Sequence, residues 1–146
     1  MRLYVALVMT ALATGAQASG GLSCTASDKA AQFSLDGGVS RGMGGALFSF
    51  NGSIAIRAQG VPDDLRRLKF SREHVAQYRL NARMLALTLY RERTGNRPHG
   101  YVELDVEARP SDGEGGYAGV YRLTIFEASG NGSTVTREGK VSCMAE

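Results

Sequence analysis

The sequence predicts an all-β protein: an antiparallel meander of about eight strands forming a barrel or a sandwich, with its first and last strands linked by a disulfide. Three observations predict it. Short apolar runs bounded by Gly, Asn and Asp recur along the chain. Two successive turns between residues 74 and 107 bring the same leucines onto one face. Cys24 and Cys143 stand near the two ends of a chain that opens on an export signal. At 146 residues, 43% hydrophobic and 21% charged, the chain holds one domain's worth of sequence with an ordinary core composition. That excludes a multidomain enzyme, a disulfide-dense miniprotein and a disordered chain.

Residues 1–18 read as a signal peptide. Arg2 is the basic start, Leu3–Ala13 is the apolar run, and Ala16-Gln17-Ala18 offers small residues for cleavage. The run is too short for a bilayer, which needs about 20 residues. For a lipid-attachment site Cys24 lies too far beyond the run. Residues 19–146 then form a single β domain, periplasmic or secreted. Its two cysteines allow one pairing, Cys24–Cys143, in an oxidising compartment.

Candidate strands are Leu22–Ala26, Ala31–Asp36, Ala46–Phe50, Ile54–Ala58, His74–Leu80, Met84–Arg91, Tyr101–Glu107, Tyr117–Phe126 and Thr134–Cys143. Between Phe50 and Ile54, a three-residue turn at Asn51-Gly52-Ser53 places Phe48, Phe50, Ile54 and Ile56 on one face. Pro62–Leu68, with Pro and two acids at its start, reads as a short helix. A turn at Asn81-Ala82 sets Tyr78 against Leu85, Ala76 against Leu87 and His74 against Leu89. A second turn at Thr94–Arg97 sets Leu89 against Val102, Leu87 against Leu104 and Leu85 against Val106. Tyr90 then faces Tyr101 across the strands. Asn131-Gly132 turns the last hairpin. Both Asn-Gly-Ser triplets match the glycosylation pattern, but turn chemistry accounts for them.

One catalytic motif matches literally. Gly38-Val39-Ser40-Arg41-Gly42 fits the G-x-S-x-G nucleophile elbow, with Ser40 as the nucleophile of a small hydrolase. That elbow needs a following helix, and here glycines and a strand follow, so no catalytic residue is expected. Gly42-Met43-Gly44 lacks the third glycine and the helix of a dinucleotide site. His74 and His99 are the only histidines, which leaves too few ligands for a zinc site, and Asp63-Asp64 and Asp112–Gly116 lack convergent cation-ligand spacing. No metal and no cofactor is expected. The Gly37–Gly45 segment is the candidate ligand loop, with Ser40, Arg41 and Met43 among glycines that let backbone amides approach a bound group.

Residues 57–97 carry 10 basic and 4 acidic side chains, whereas residues 98–146 carry 4 and 8. An arginine-rich stretch recognises phosphate or carboxylate. The plainer reading is neutralisation by the acidic last third, for example Glu103 beside Arg122. The net charge of +3 and the export signal disfavour nucleic acid.

Gly21-Leu22-Ser23-Cys24, Asp36–Gly45, Pro98-His99-Gly100 and Gly139-Lys140-Val141-Ser142-Cys143 resemble a family of small exported two-cysteine bacterial proteins of unknown function. That resemblance implies no activity. The size and paired cysteines are similar in plan to the periplasmic lysozyme inhibitors, although their Ser-Gly-x-x-Tyr motif does not occur here. The expected function is a non-catalytic periplasmic binding or interaction module. Its expected partner is an envelope protein or an anionic small molecule, with no transmembrane segment. The alternatives are a lysozyme-type inhibitor and a hydrolase using Ser40.

Overall fold

A computed structural model describes residues 19–40 and 46–146. The expected leader, residues 1–18, lies outside the described residues. Among the described residues nine antiparallel strands run in chain order as β1 (Ser19–Ser27), β2 (Ala31–Ser40), β3 (Leu47–Ile56), β4 (Arg67–Ser71), β5 (Val75–Asn81), β6 (Met84–Glu92), β7 (Gly100–Pro110), β8 (Gly116–Glu127) and β9 (Ser133–Ala145). They form one sheet in the order β4-β3-β2-β1-β9-β8-β7-β6-β5, a nearly closed barrel with its opening between β4 and β5. The first strand therefore sits mid-sheet between β2 and β9. Cys24 and Cys143 face each other across β1 and β9 and form the expected disulfide.

Alternation places one face of each strand inside. Leu85, Leu87 and Leu89 are buried with Val102, Leu104, Val106, Leu123 and Ile125, and they meet Phe33, Leu35 and Ile54 from the other half of the sheet in one core. Tyr121 is fully buried, edge-on to Phe33, and its hydroxyl donates to Asp28 Oδ2 at 2.7 Å. Aliphatic and aromatic side chains fill the interior.

Several local expectations are corrected. Asn51-Gly52-Ser53 is not a turn: β3 runs straight through it, with Asn51 paired to both Asp36 and Ser71. Gly52 serves packing instead, because a Cβ there would lie 2.7 Å from the Leu35 side chain. A bulge near Gly38 leaves Phe48 as the extra residue of β3, so Leu47 and Phe50 point inward and Phe48 is exposed. The Pro62–Leu68 helix shrinks to one 3-10 turn, Asp63–Leu65. Arg67–Ser71 alternates polar and apolar residues and pairs with β3 as a ninth strand.

Both leucine hairpins close two residues away from the expected register. Asn81 pairs with Met84 because its Oδ1 accepts from the Arg83 and Met84 amides, which moves the turn to Ala82-Arg83. Leu89 pairs with Leu104 and Leu85 with Ala108. A shift of two preserves every face, so the inward leucines are as expected. Tyr90 lies opposite Glu103, yet its ring meets that of Tyr101 diagonally at 5.1 Å. A bulge in β5 exposes Ala76 and gives Val75, not His74, the place opposite Leu89. Arg122 lies opposite Asp105 and ion-pairs with Glu138 at 2.9 Å, not with Glu103.

Candidate functional site

The segments Ser23-Cys24-Thr25-Ala26-Ser27 and Gln32-Phe33-Ser34-Leu35-Asp36 alternate polar with apolar residues, and Ser53-Ile54-Ala55-Ile56 follows the same period with Ala55 in an outward place. Their other apolar members enter the core, and their hydroxyls and amides face outward. The registers align these outward positions into rows across the sheet. One row runs Ser142, Thr25, Ser34, Ser53 and Lys69 on β9, β1, β2, β3 and β4. The next runs Ser27, Gln32, Ala55 and Arg67, with Lys140, two residues before Ser142, at its β9 end.

The two rows line an open groove of about 770 Å³ on the outer face of the barrel. Cations stand at both ends, Arg67 and Lys69 on β4 and Lys140 on β9. Arg57 reaches the Gln32 Oε1 atom and donates to the Asp28 carbonyl at 2.7 Å. With its oxygen so engaged, Gln32 offers its amide N–H groups to the groove. A smaller hollow of about 360 Å³ adjoins it and holds Asp36, which accepts from the Ser34 hydroxyl at 3.3 Å.

The expected loop residues are only partly visible. Arg41 and Met43 lie outside the described residues. Ser40 ends β2, and both its amide and its hydroxyl donate to the Ala46 carbonyl, at 3.0 and 3.5 Å. Among the described residues no histidine or carboxylate hydrogen-bonds Ser40. Gly37 and Gly38 belong to β2, not to a loop: a Cβ on Gly37 would meet Leu47 at 2.7 Å, and one on Gly38 the Phe48 ring at 2.4 Å.

The remaining polar clusters have structural work. The Ser71 amide donates to His74 Nδ1 at 2.9 Å and the Ser71 side chain accepts the His74 backbone N–H, closing a capping box between β4 and β5, while the Ser71 hydroxyl donates to Glu73 at 3.0 Å. The Ser71–His74 contact therefore caps the short turn between β4 and β5. Asp63 and Asp64 diverge, Asp63 to Arg66 and Asp64 to Arg93 and Arg97. The nearly buried Arg93 also binds Glu127 and the Pro98 carbonyl, which ties three loops over one barrel end. Burial would raise the Asp64 carboxyl, but the Arg93 hydrogen bond and charge, its own backbone and Arg97 outweigh it and hold it below 3.8. Burial likewise opposes ionisation of Asp28. There the Tyr121 hydroxyl, the Ala31 and Ala30 amides and Arg57 prevail, and its pKa is lowered.

Tyr90, Tyr101, Phe126 and His99 form an aromatic ladder across β6, β7 and β8, with neighbouring centroids 5.1 to 6.0 Å apart. Tyr101 and Phe126 stack at 26°. Their faces are turned toward one another, so the ladder braces the sheet. Among the described residues no cluster of three His, Cys, Asp or Glu side chains is arranged to hold a metal. No helix among them is long and apolar enough to cross a membrane.

No protein-family model, curated protein or solved structure matches this chain.

The sequence contained one half of the signal for this groove. Ser, Thr and Gln alternating with core residues mark an outward polar face, and Arg57, Arg67 and Lys69 belong to the flagged basic stretch. The two cysteines make β1 and β9 neighbours, but which outward residues align into rows depends on the registers between five strands and on β4, which no local pattern encodes.

Proposed function

We propose that this protein is a non-catalytic binding module of the periplasm or extracellular space that takes an anionic ligand in the groove across β9, β1, β2, β3 and β4. One observation carries the reading: an open groove of about 770 Å³ has a hydroxyl-lined floor and cations at both ends. The packed interior leaves the ligand to the outer surface. The disulfide fits an oxidising compartment, where such bonds persist. Lysine and arginine at an exposed rim attract carboxylate, sulfate or phosphate through a field that salt screens over about 8–10 Å.

Retention on a sulfated-polysaccharide resin across a salt gradient tests this. Arg67→Glu/Lys69→Glu is expected to elute at markedly lower salt than the parent. Arg79→Glu/Arg83→Glu, with the same net charge on the β5 side, is expected to elute close to the parent. Equal loss in both double variants would reduce the effect to net charge and overturn the reading.

A further inference from the structure

Resting on that reading, we infer that the ligand of the groove is an acidic oligosaccharide lying across the strands, its acid groups held by Arg67 and Lys69 at one end and by Lys140 at the other. The distance between the cationic ends comes first. Lys140 on β9 and Arg67 on β4 are four strand spacings apart, about 19 Å at roughly 4.8 Å per spacing. A compact anion such as phosphate engages one end and leaves the other unused. A ligand that uses both is extended and carries acid groups on a repeating chain.

The floor between the ends fixes what the chain is made of. Ser142, Thr25, Ser34 and Ser53 in one row and Ser27 and Gln32 in the next are hydroxyls and an amide. Each hydroxyl both donates and accepts, which matches a ligand whose own groups are hydroxyls. Ala55 is the single apolar side chain in these rows; Ala26, Phe33, Ile54 and Leu68 also line the groove but belong to the core or pack against it, so the outward side chains that meet a ligand are chiefly hydroxyls and an amide. The floor on β1, β2 and β3 lies mid-sheet, where both strand edges are already paired, so a peptide crossing it gains no main-chain ladder there. Nucleobases need aromatic faces, and the aromatic rings lie elsewhere, stacked on one another. Two rows on alternate residues are roughly 6–7 Å apart along the strands, so a chain crossing the strands can touch both rows.

Calorimetric titration of the purified protein with oligogalacturonates of two, four and six residues tests the inference, with inorganic phosphate and neutral maltohexaose as comparisons. Affinity is expected to rise at least about tenfold from the shortest to the longest acid, because the second end adds its contact within one complex. Lys140→Gln is expected to bring the longest acid down to the affinity of the shortest and to leave the shortest unchanged. Maltohexaose is expected to bind far more weakly than the acid of equal length. Affinity independent of length, insensitivity to Lys140→Gln, or phosphate binding as tightly as the hexamer would overturn the spanning ligand. In each of those cases the separate resin experiment still decides whether the groove binds anions at all.

Discussion

Removing the Cys24–Cys143 bond should cost this protein about 5 kcal/mol. The bond joins residues 119 apart in sequence, so it restrains nearly the whole described chain when unfolded. In the chain-entropy treatment a closed loop of that length loses roughly 16 cal/mol/K of unfolded-state entropy, or about 5 kcal/mol at 25 °C. Domains of this kind are stable by only about 5–15 kcal/mol, so the unlinked protein retains a small part of its stability. The midpoint of thermal unfolding should fall on the order of 15–20 °C. Reduction and mutation separate two contributions. Reduction leaves both sulfurs in place, where Cys24 and Cys143 are buried at 1% and 3% exposure, and so measures the cross-link alone. Cys24→Ala/Cys143→Ala adds the loss of sulfur packing in the core, about 1–2 kcal/mol more. Urea unfolding of the oxidised, reduced and doubly substituted proteins at pH 7 gives all three values. A loss below about 2 kcal/mol on reduction, with an unchanged denaturant slope, would refute the entropic argument.

Tyr121→Phe removes the hydrogen bond to Asp28 and should cost about 1.5–3 kcal/mol in urea unfolding, since the acceptor is a carboxylate. Because the Asp28 pKa is lowered in the folded state, the associated stability is fully present above its unfolded value near 3.9 and is lost as pH falls through the folded value. Asp28→Asn should therefore flatten the acid limb of a stability–pH profile, and an unchanged limb would contradict this. Gly119→Ala should destabilise by on the order of 3 kcal/mol or prevent folding, because its Cβ would fall 1.9 Å from the Glu107 carbonyl oxygen; soluble protein of parental stability would contradict the close approach of β7 and β8. The Tyr78 hydroxyl is buried without a hydrogen-bond partner, so Tyr78→Phe should be neutral or stabilising by up to about 1 kcal/mol. Burial and the neighbouring Tyr117 push Tyr78 up to about 12, and the substitution should remove one tyrosine from the high end of an ultraviolet titration.

The sequence specifies faces well and neighbours poorly. Alternation and the two turns that align the apolar faces put Leu85, Leu87 and Leu89 in the core, and the shift of two residues in both hairpins leaves them there. The disulfide was legible because the chain's two cysteines allow one pairing, and it made β1 and β9 neighbours. Asn51-Gly52 misled because glycine meets two different needs. At Gly130 and Gly132 it supplies positive φ for a turn, but at Gly52 it yields space to Leu35 across a straight strand. The β4 strand was missed because Pro62 and two acids open a helix-like signal that ends after one turn, and its five residues are too few to show a period. The groove was not legible, because its rows are assembled from the registers of five strands, one of them the missed β4.

The pairing of β9 with β1 connects the stability of the fold to its proposed function. A simple meander beginning at β1 would leave the hydroxyls of β1, β2 and β3 beside an open edge, with cations on β4 alone. Placing β9 against β1 adds Ser142 and Lys140 to the same face and turns a one-ended basic patch into a groove with cations at both ends. The register between β1 and β9 spans only Leu22–Thr25 against Ala145–Ser142, four pairs. The disulfide lies within this short ladder, one residue from the Thr25–Ser142 pair that forms the groove floor. A ladder of four pairs is the weakest place to carry a binding surface across, and that is where the single covalent cross-link stands. The bond therefore holds the surface in register, and the Lys140 end of the groove depends on it in a way that the Arg67 and Lys69 end, held on β3, does not.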